Sequence, residues 1–128
     1  MRVVAVDERD SSWEDPDPTY RVYLHGGSAR DGEEWTGGTT WTYDVTEADL
    51  LQVVDWAQRE AGGTRHYAIA LVRDNRREDS SRGLVWLIGM DGNDSITDPP
   101  SLDRQRRMLV RMTDPVGIPE ADRAPSPR

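Results

Sequence analysis

The segment TTWTYDVTEADLLQVVDWAQREAGGTRHYAIALVR, residues 39–73, decides the fold because it holds a strand, a helix and a second strand in that order. Its first part, residues 39–45, alternates polar and apolar side chains, which is typical of a strand with one wet face. Its last part, His66–Arg73, is apolar on both faces and predicts a strand inside a sheet. The segment therefore indicates a domain in which a sheet packs against a helix.

The centre of this segment predicts a helix from about Glu47 to Ala61. Thr46 is expected to be the N-cap, since a hydroxyl can accept a bond from the first turn, with Asp49 in the capping-box position. Two consecutive glycines follow and provide the left-handed backbone that commonly ends a helix. An apolar stripe at helical spacing is expected to face the sheet, and its members are Leu50, Val54, Ala57 and Ala61.

Outside the central segment, Tyr20–His25 alternates and predicts a strand with one wet face. Gly83–Met90 is apolar on both faces and predicts another strand at the centre of the sheet. Val3–Val6 predicts a short edge strand. Ser101 is expected to cap a C-terminal helix that runs to about Thr113. Together these elements predict two helices and about five strands.

The predicted fold class is α+β, with an antiparallel or mixed sheet of about five strands, one main helix packed on one face and a second C-terminal helix. Residues 1–114 are expected to form a single domain that includes an acidic loop or arm at 7–18. Residues 115–128 are rich in proline and are expected to form a flexible tail. The predicted core consists of Leu50, Val54, Ala57, Ile69, Leu71, Val85 and Leu87.

The chain of 128 residues is acidic, with 24 Asp and Glu against 16 basic residues and a net charge of −8. This charge repels phosphates and anionic membranes, so we expect neither direct nucleic-acid binding nor membrane binding. A basic protein is the expected partner. The chain has no cysteine, which is compatible with a cytoplasmic location. All its basic residues except histidine are arginine, which indicates a GC-rich coding sequence from a bacterium or phage.

The composition removes many routes to catalysis, because the chain has neither cysteine nor lysine. Its two histidines, His25 and His66, are far apart in sequence, and no phosphate-binding loop or zinc motif is present. The acidic run after Met90 resembles a calcium loop, but Ile96 and Leu102 stand where such a loop requires Gly and Glu. We therefore expect no enzymatic activity, no cofactor and no metal.

Trp56 is the residue most indicative of a partner surface, because it falls on the polar side of the predicted helix. An aromatic residue there is either covered by another segment of the chain or offered to a partner as an anchor. Four acids accompany it in the predicted partner-binding set, namely Asp49, Asp55, Glu33 and Glu34.

Two further residue patterns have both a functional explanation and a purely structural one. Trp35, Trp41, Tyr43 and His25 are expected to line a ligand groove, unless the segment is simply a hairpin with β-favouring residues. Arginines at 104, 107 and 111 share one face of the C-terminal helix. This basic ridge, Arg104, Arg107 and Arg111, either meets a partner, pairs with the acidic arm or is simply solvated.

Small size, acidity and the lack of a catalytic set predict a protein-binding domain of the inhibitor or immunity type, which acts by occluding a partner protein. The alternative is a small-ligand-binding domain or enzyme that uses a cleft near Trp35, Trp41 and His25. Concavity discriminates between them, because a ligand domain needs a pocket that joins the tryptophans to a histidine.

Overall fold

The computed structural model describes residues 1–26, 38–74, 82–92 and 98–125. Its regular elements, in chain order, are β1 (Thr19–His25), β2 (Thr40–Val45), α1 (Leu50–Ala61), β3 (His66–Asp74), β4 (Arg82–Ile88) and α2 (Pro99–Thr113). Short 3-10 turns occupy Glu8–Asp10 and Glu120–Asp122. Within the described ranges, neither helix is long and apolar enough to cross a membrane.

The four strands form one antiparallel sheet in the order β2-β1-β3-β4. This confirms the predicted α+β class with a main helix and a C-terminal helix, but with four strands instead of about five. The difference is Val3–Val6, which is exposed and pairs with no strand in the described part of the chain. Its β-branched residues favour extended backbone, yet a strand also requires a neighbour to complete its hydrogen bonds.

One face of the sheet, here called the core face, packs against α1. Alternate residues of β1 point to it, and these are buried. The core cluster consists of Tyr20, Val22, Leu24, Tyr67 and Ile69 from the sheet, with Val53, Val54, Ala57 and Ala61 from α1. The buried stripe of α1 thus includes Val53, whereas Leu50 of the predicted stripe is exposed.

Helix α1 begins three residues later than predicted. Asp49 is the N-cap, and its side chain accepts a bond from the Gln52 amide while the Gln52 side chain accepts one from the Asp49 amide. This reciprocal capping box replaces the predicted cap at Thr46. Glu47 has a φ of 57°, which excludes it from a right-handed helix. Gly62 ends the helix at a φ of 63°, as predicted.

Helix α2, in contrast, begins before its predicted cap at Ser101. Asp98 is the N-cap and accepts a bond from the Ser101 amide, while the two prolines that follow Asp98 occupy the first turn. Proline is suited to that turn because its missing N–H would have no helical partner there. Met108 is buried near Gly89, where an added Cβ would lie 3.0 Å from the Met108 sulfur.

The prediction that Gly83–Met90 lies at the centre of the sheet is wrong. Among the described residues, strand β4 pairs with β3 on one side only and forms an edge of the sheet. Val85 and Leu87, which were expected in the core, are therefore exposed. A run that is apolar on both faces indicates contact on both faces, but it does not specify how many strand neighbours the chain has.

The C-terminal segment does not behave as a free tail over its described length. Gln58 of α1 forms two hydrogen bonds with the backbone of Val116, at 3.0 and 2.6 Å. Ile118 packs against the core cluster. Farther along, the Ala124 amide donates to the Asp55 carboxylate at 2.9 Å. Val116, Ile118 and Ala124 therefore contact α1 or the core, and the flexibility of the rest of the tail remains a prediction.

Candidate functional site

The candidate functional site is the outer edge of β4, which is the side of the strand that faces away from β3. Strand β4 donates and accepts its ladder bonds toward β3, and the described residues place no strand on its other side. Every second backbone N–H and C=O of an edge strand points away from the sheet. Such a row of donors and acceptors can bind another extended segment.

The side chains of β4 make this edge apolar as well as open. Leu84, Val85 and Leu87 are 36%, 40% and 42% exposed. No charged residue occurs between Arg82 and Asp91. Natural edge strands usually carry charges or proline that discourage pairing with other chains. An edge without these features is expected to associate with another polypeptide.

A β-bulge shapes the end of this edge. Ile69 pairs with Ile88 and Ala70 pairs with Trp86, so Leu87 has no residue directly opposite it. A bulge increases the local twist and re-aims side chains. The apolar side chain of Leu87, which lies at this bulge near the end of β4, is partly exposed to solvent.

A histidine pair lies on the other face of the sheet, here called the second face. His25 ends β1, His66 begins β3, and the antiparallel register places them opposite each other. Their ring centroids are 4.9 Å apart, and both side chains are buried. Tyr23 stacks beside His25 at 6.2 Å, and it also contacts Trp86 at 5.2 Å. The second face therefore has its own aromatic cluster.

Burial makes both imidazoles weak bases. It lowers the pKa of His66 to about 3, and the neighbouring His25 adds to this effect. Burial also lowers the pKa of His25, against a smaller opposite effect of Asp91. His25 Nδ1 lies 3.4 Å from the Thr40 hydroxyl, while its Nε2 makes no hydrogen bond within the described ranges. Both rings are thus neutral at pH 7.

The histidine pair does not form a metal site with other described residues. Three or more histidine and carboxylate side chains do not come together anywhere in the part of the chain that the structure describes. Gly92 closes over His25, since a Cβ on Gly92 would lie 2.9 Å from the ring. This close contact leaves the ring little access to a ligand.

The described residues of the predicted partner-binding set make contacts with other parts of this chain. Asp49 caps α1, and the buried Asp55 bonds Arg59 at 2.7 Å as well as the C-terminal segment. Trp56 is half-buried and meets the Tyr43 ring edge-on at 5.2 Å. Two further acids of the predicted set, Glu33 and Glu34, lie outside the described residues. The partner role of these side chains remains a prediction.

The structure separates the predicted ligand-groove residues. Trp41 and Tyr43 point to the core face, because they pair with Leu24 and Val22 of β1. His25 points to the second face. Trp41 instead receives the guanidinium of Arg65 over its ring, at 4.8 Å from the centroid. Trp35 lies outside the described residues. Strand alternation therefore places Trp41 and Tyr43 on the face opposite to that of His25, and the ligand groove remains a prediction.

The three arginines of the predicted basic ridge differ in how far they are buried. Arg104 and Arg107 are exposed, and Arg107 bonds Asp103 at 3.0 Å. Arg111 is half-buried, with one guanidinium nitrogen fully enclosed. Burial raises the pKa of Tyr67, and the positive charge of Arg111 partly offsets this rise. Arg111 therefore belongs to the interior contacts of α2, and two arginines remain on the solvent side.

Sequence reasoning missed both the open edge and the histidine pair. The apolar run of β4 was visible, but its position in the sheet depends on pairing that periodicity does not encode. The histidines had a usable signal: one ends a predicted strand and the other begins one. Antiparallel pairing of those two strands brings such residues together.

Comparisons with protein-family models, with curated proteins and with solved structures give no match to this chain.

Proposed function

We propose that this chain is a small protein-binding domain that receives an extended segment of a partner at the outer edge of β4. The observation that carries the proposal is the exposed, uncharged edge formed by Leu84, Val85 and Leu87. In this mode of binding, main-chain hydrogen bonds provide affinity, and alternate side chains of the added strand provide specificity. The bulge at Leu87 provides an exposed apolar contact for one of those side chains.

The proposed class is an inhibitor or immunity-type protein that acts in the cytoplasm by occluding a partner protein and performs no catalysis. The net charge of −8 supports a basic partner, because opposite charges accelerate encounter. In this proposal, charge guides approach, whereas the β4 edge holds the complex. These two contributions predict different effects on the rates of association and dissociation.

Affinity capture with matched variants of the full chain tests the proposed function. Leu87→Lys places a charge on the edge, and Leu102→Lys makes the same change at an exposed position on α2. We expect the wild type and Leu102→Lys to retain the same protein, and Leu87→Lys to retain at most about a tenth as much, the loss expected from about 1.4 kcal/mol. Equal retention by both lysine variants would refute the β4 site. Retention of only a small molecule would favour the ligand-binding alternative.

A further inference from the structure

The N-terminal segment Arg2–Val6 is a second apolar and exposed feature of the molecule. Val3, Val4 and Val6 are 83%, 62% and 77% exposed. β-Branched residues favour extended backbone, and the segment lies outside the helices and strands of the structure. The chain thus carries both a segment suited to be a strand and a strand edge suited to receive one.

We infer that the Arg2–Val6 segment of one copy pairs with the β4 edge of a second copy, and that the exchange is reciprocal in a two-fold symmetric dimer. This inference rests on the proposed function, since it uses the same β4 edge, at which a second copy pairs when the basic partner is absent. A two-fold axis forms both contacts at once, because each copy donates one segment and offers one edge. The exchange buries apolar surface that a single copy exposes in both places.

The lengths of the two elements match. Arg2–Val6 and Leu84–Ile88 each contain five residues. A strand rises about 3.4 Å per residue, so each spans about 17 Å. Successive valines of the donor point to opposite faces, so both faces of β4 gain apolar neighbours.

Charge selects the antiparallel orientation of the added strand. In that orientation, Arg2 lies at the Ile88 end of β4, toward Asp91. Glu8, which follows the donor segment, lies toward Arg82 at the other end. A parallel arrangement would bring Arg2 to Arg82 and the acids after Val6 toward Asp91. Opposite charges across neighbouring strands stabilise the pairing, and like charges oppose it.

Within the described residues the donor segment pairs with no strand of its own sheet, which favours a second copy as the acceptor. Asp7 caps the 3-10 turn Glu8–Asp10 by accepting bonds from Arg9, so the extended segment ends before Glu8. Farther along, the Trp13 ring lies 5.5 Å from the guanidinium of Arg73 on β3. The segment before the turn is left exposed to other molecules.

The test is the molar mass of the full chain, measured by light scattering in about 0.15 M salt, where screening limits repulsion between two acidic copies. We expect the wild type to have the mass of two 14.5 kDa chains. Val4→Pro removes a backbone N–H from the donor and should give a monomer. Val4→Thr keeps the branched shape and the N–H and should remain a dimer. Equal melting temperatures of the monomeric and dimeric variants, extrapolated to low concentration, show that the fold is intact.

A complementation measurement completes the test. Val4→Pro retains a functional edge, and Leu87→Lys retains a functional donor segment. Each alone should be monomeric, whereas an equimolar mixture should form a heterodimer through one exchanged strand. A monomeric wild type, or a mixture that remains monomeric, would overturn the inference. If the wild type is monomeric and Val4→Pro lowers its stability, the segment pairs with its own β4 instead. A monomeric wild type that still captures a partner sensitive to Leu87→Lys would preserve the proposed function alone.

Discussion

His25 and His66 form the one pair of buried basic side chains on the second face of the described sheet. Protonation of either ring places a charge in a poorly solvated site beside the other ring. The unfolded chain has no such restriction, so it binds protons at the ordinary histidine pKa near 6.5. Stability therefore depends on both rings remaining neutral.

The pH dependence of stability follows from the direction of these shifts. The folded pKa of His66 is about 3, which is below the unfolded value. The stabilisation is complete above pH 6.5 and is lost as the pH falls toward the folded pKa. For His66 alone, we expect the free energy of unfolding to fall by about 2 kcal/mol between pH 7 and pH 5. Urea titrations at several pH values measure this loss.

The control for this pH dependence is His66→Phe, which removes the titrating group and keeps an aromatic ring. Its stability should fall less between pH 7 and pH 5 than that of the wild type. An identical pH profile in both proteins would show that His66 does not cause the loss.

At the scale of elements, the C-terminal segment acts as part of the α1 layer. Its contacts with Gln58 and Asp55 satisfy polar groups of the helix, and Ile118 contributes apolar area. A chain that ends after Pro115 should lose at least about 2 kcal/mol of stability, because two buried or half-buried side chains lose their partners. A chain that ends after Pro125 keeps these contacts and is the control. Equal melting temperatures of the two truncated chains would show that the segment does not stabilise α1.

Strands β3 and β4 should respond differently to the loss of side-chain volume. Ile69→Ala in the central strand should cost about 2–5 kcal/mol, because the residue is completely buried. Leu87→Ala on the edge should cost less than about 1 kcal/mol, since its side chain is already partly solvated. Chemical denaturation measures both values. A larger loss for Leu87→Ala would mean that β4 is covered rather than open.

The sequence predicted the elements better than their arrangement. Alternation identified β1 and β2, helical spacing located α1, and the glycine after Ala61 correctly predicted its end. These features depend on residues that are close together in the sequence. The edge position of β4 and the contact between the two histidines depend on strand order and register, which join distant residues. The docking of the C-terminal segment depends on Gln58 and Asp55 of α1, which no periodicity distinguishes as contact residues.

At the scale of the whole molecule, long-range charge and short-range contact are expected to affect different steps of partner binding. The net charge of −8 attracts a basic partner over a Debye length, and the β4 edge acts only on contact. We therefore expect the association rate constant to fall as salt increases, while the dissociation rate constant changes little. Leu87→Lys should mainly raise the dissociation rate constant. Stopped-flow or surface-based kinetics distinguish these effects, and a salt-independent association rate would argue against a basic partner.

Hydrogen exchange of the β4 amides tests whether a partner adds a strand at the outer edge of β4. Amides of Leu84–Ile88 that point away from β3 have no strand neighbour in the described structure and should exchange quickly in the monomeric Val4→Pro variant. On binding the captured partner, these same amides should become protected, because each would donate to the added strand. Unchanged exchange along β4, with protection confined to α1 or α2 instead, would contradict the account.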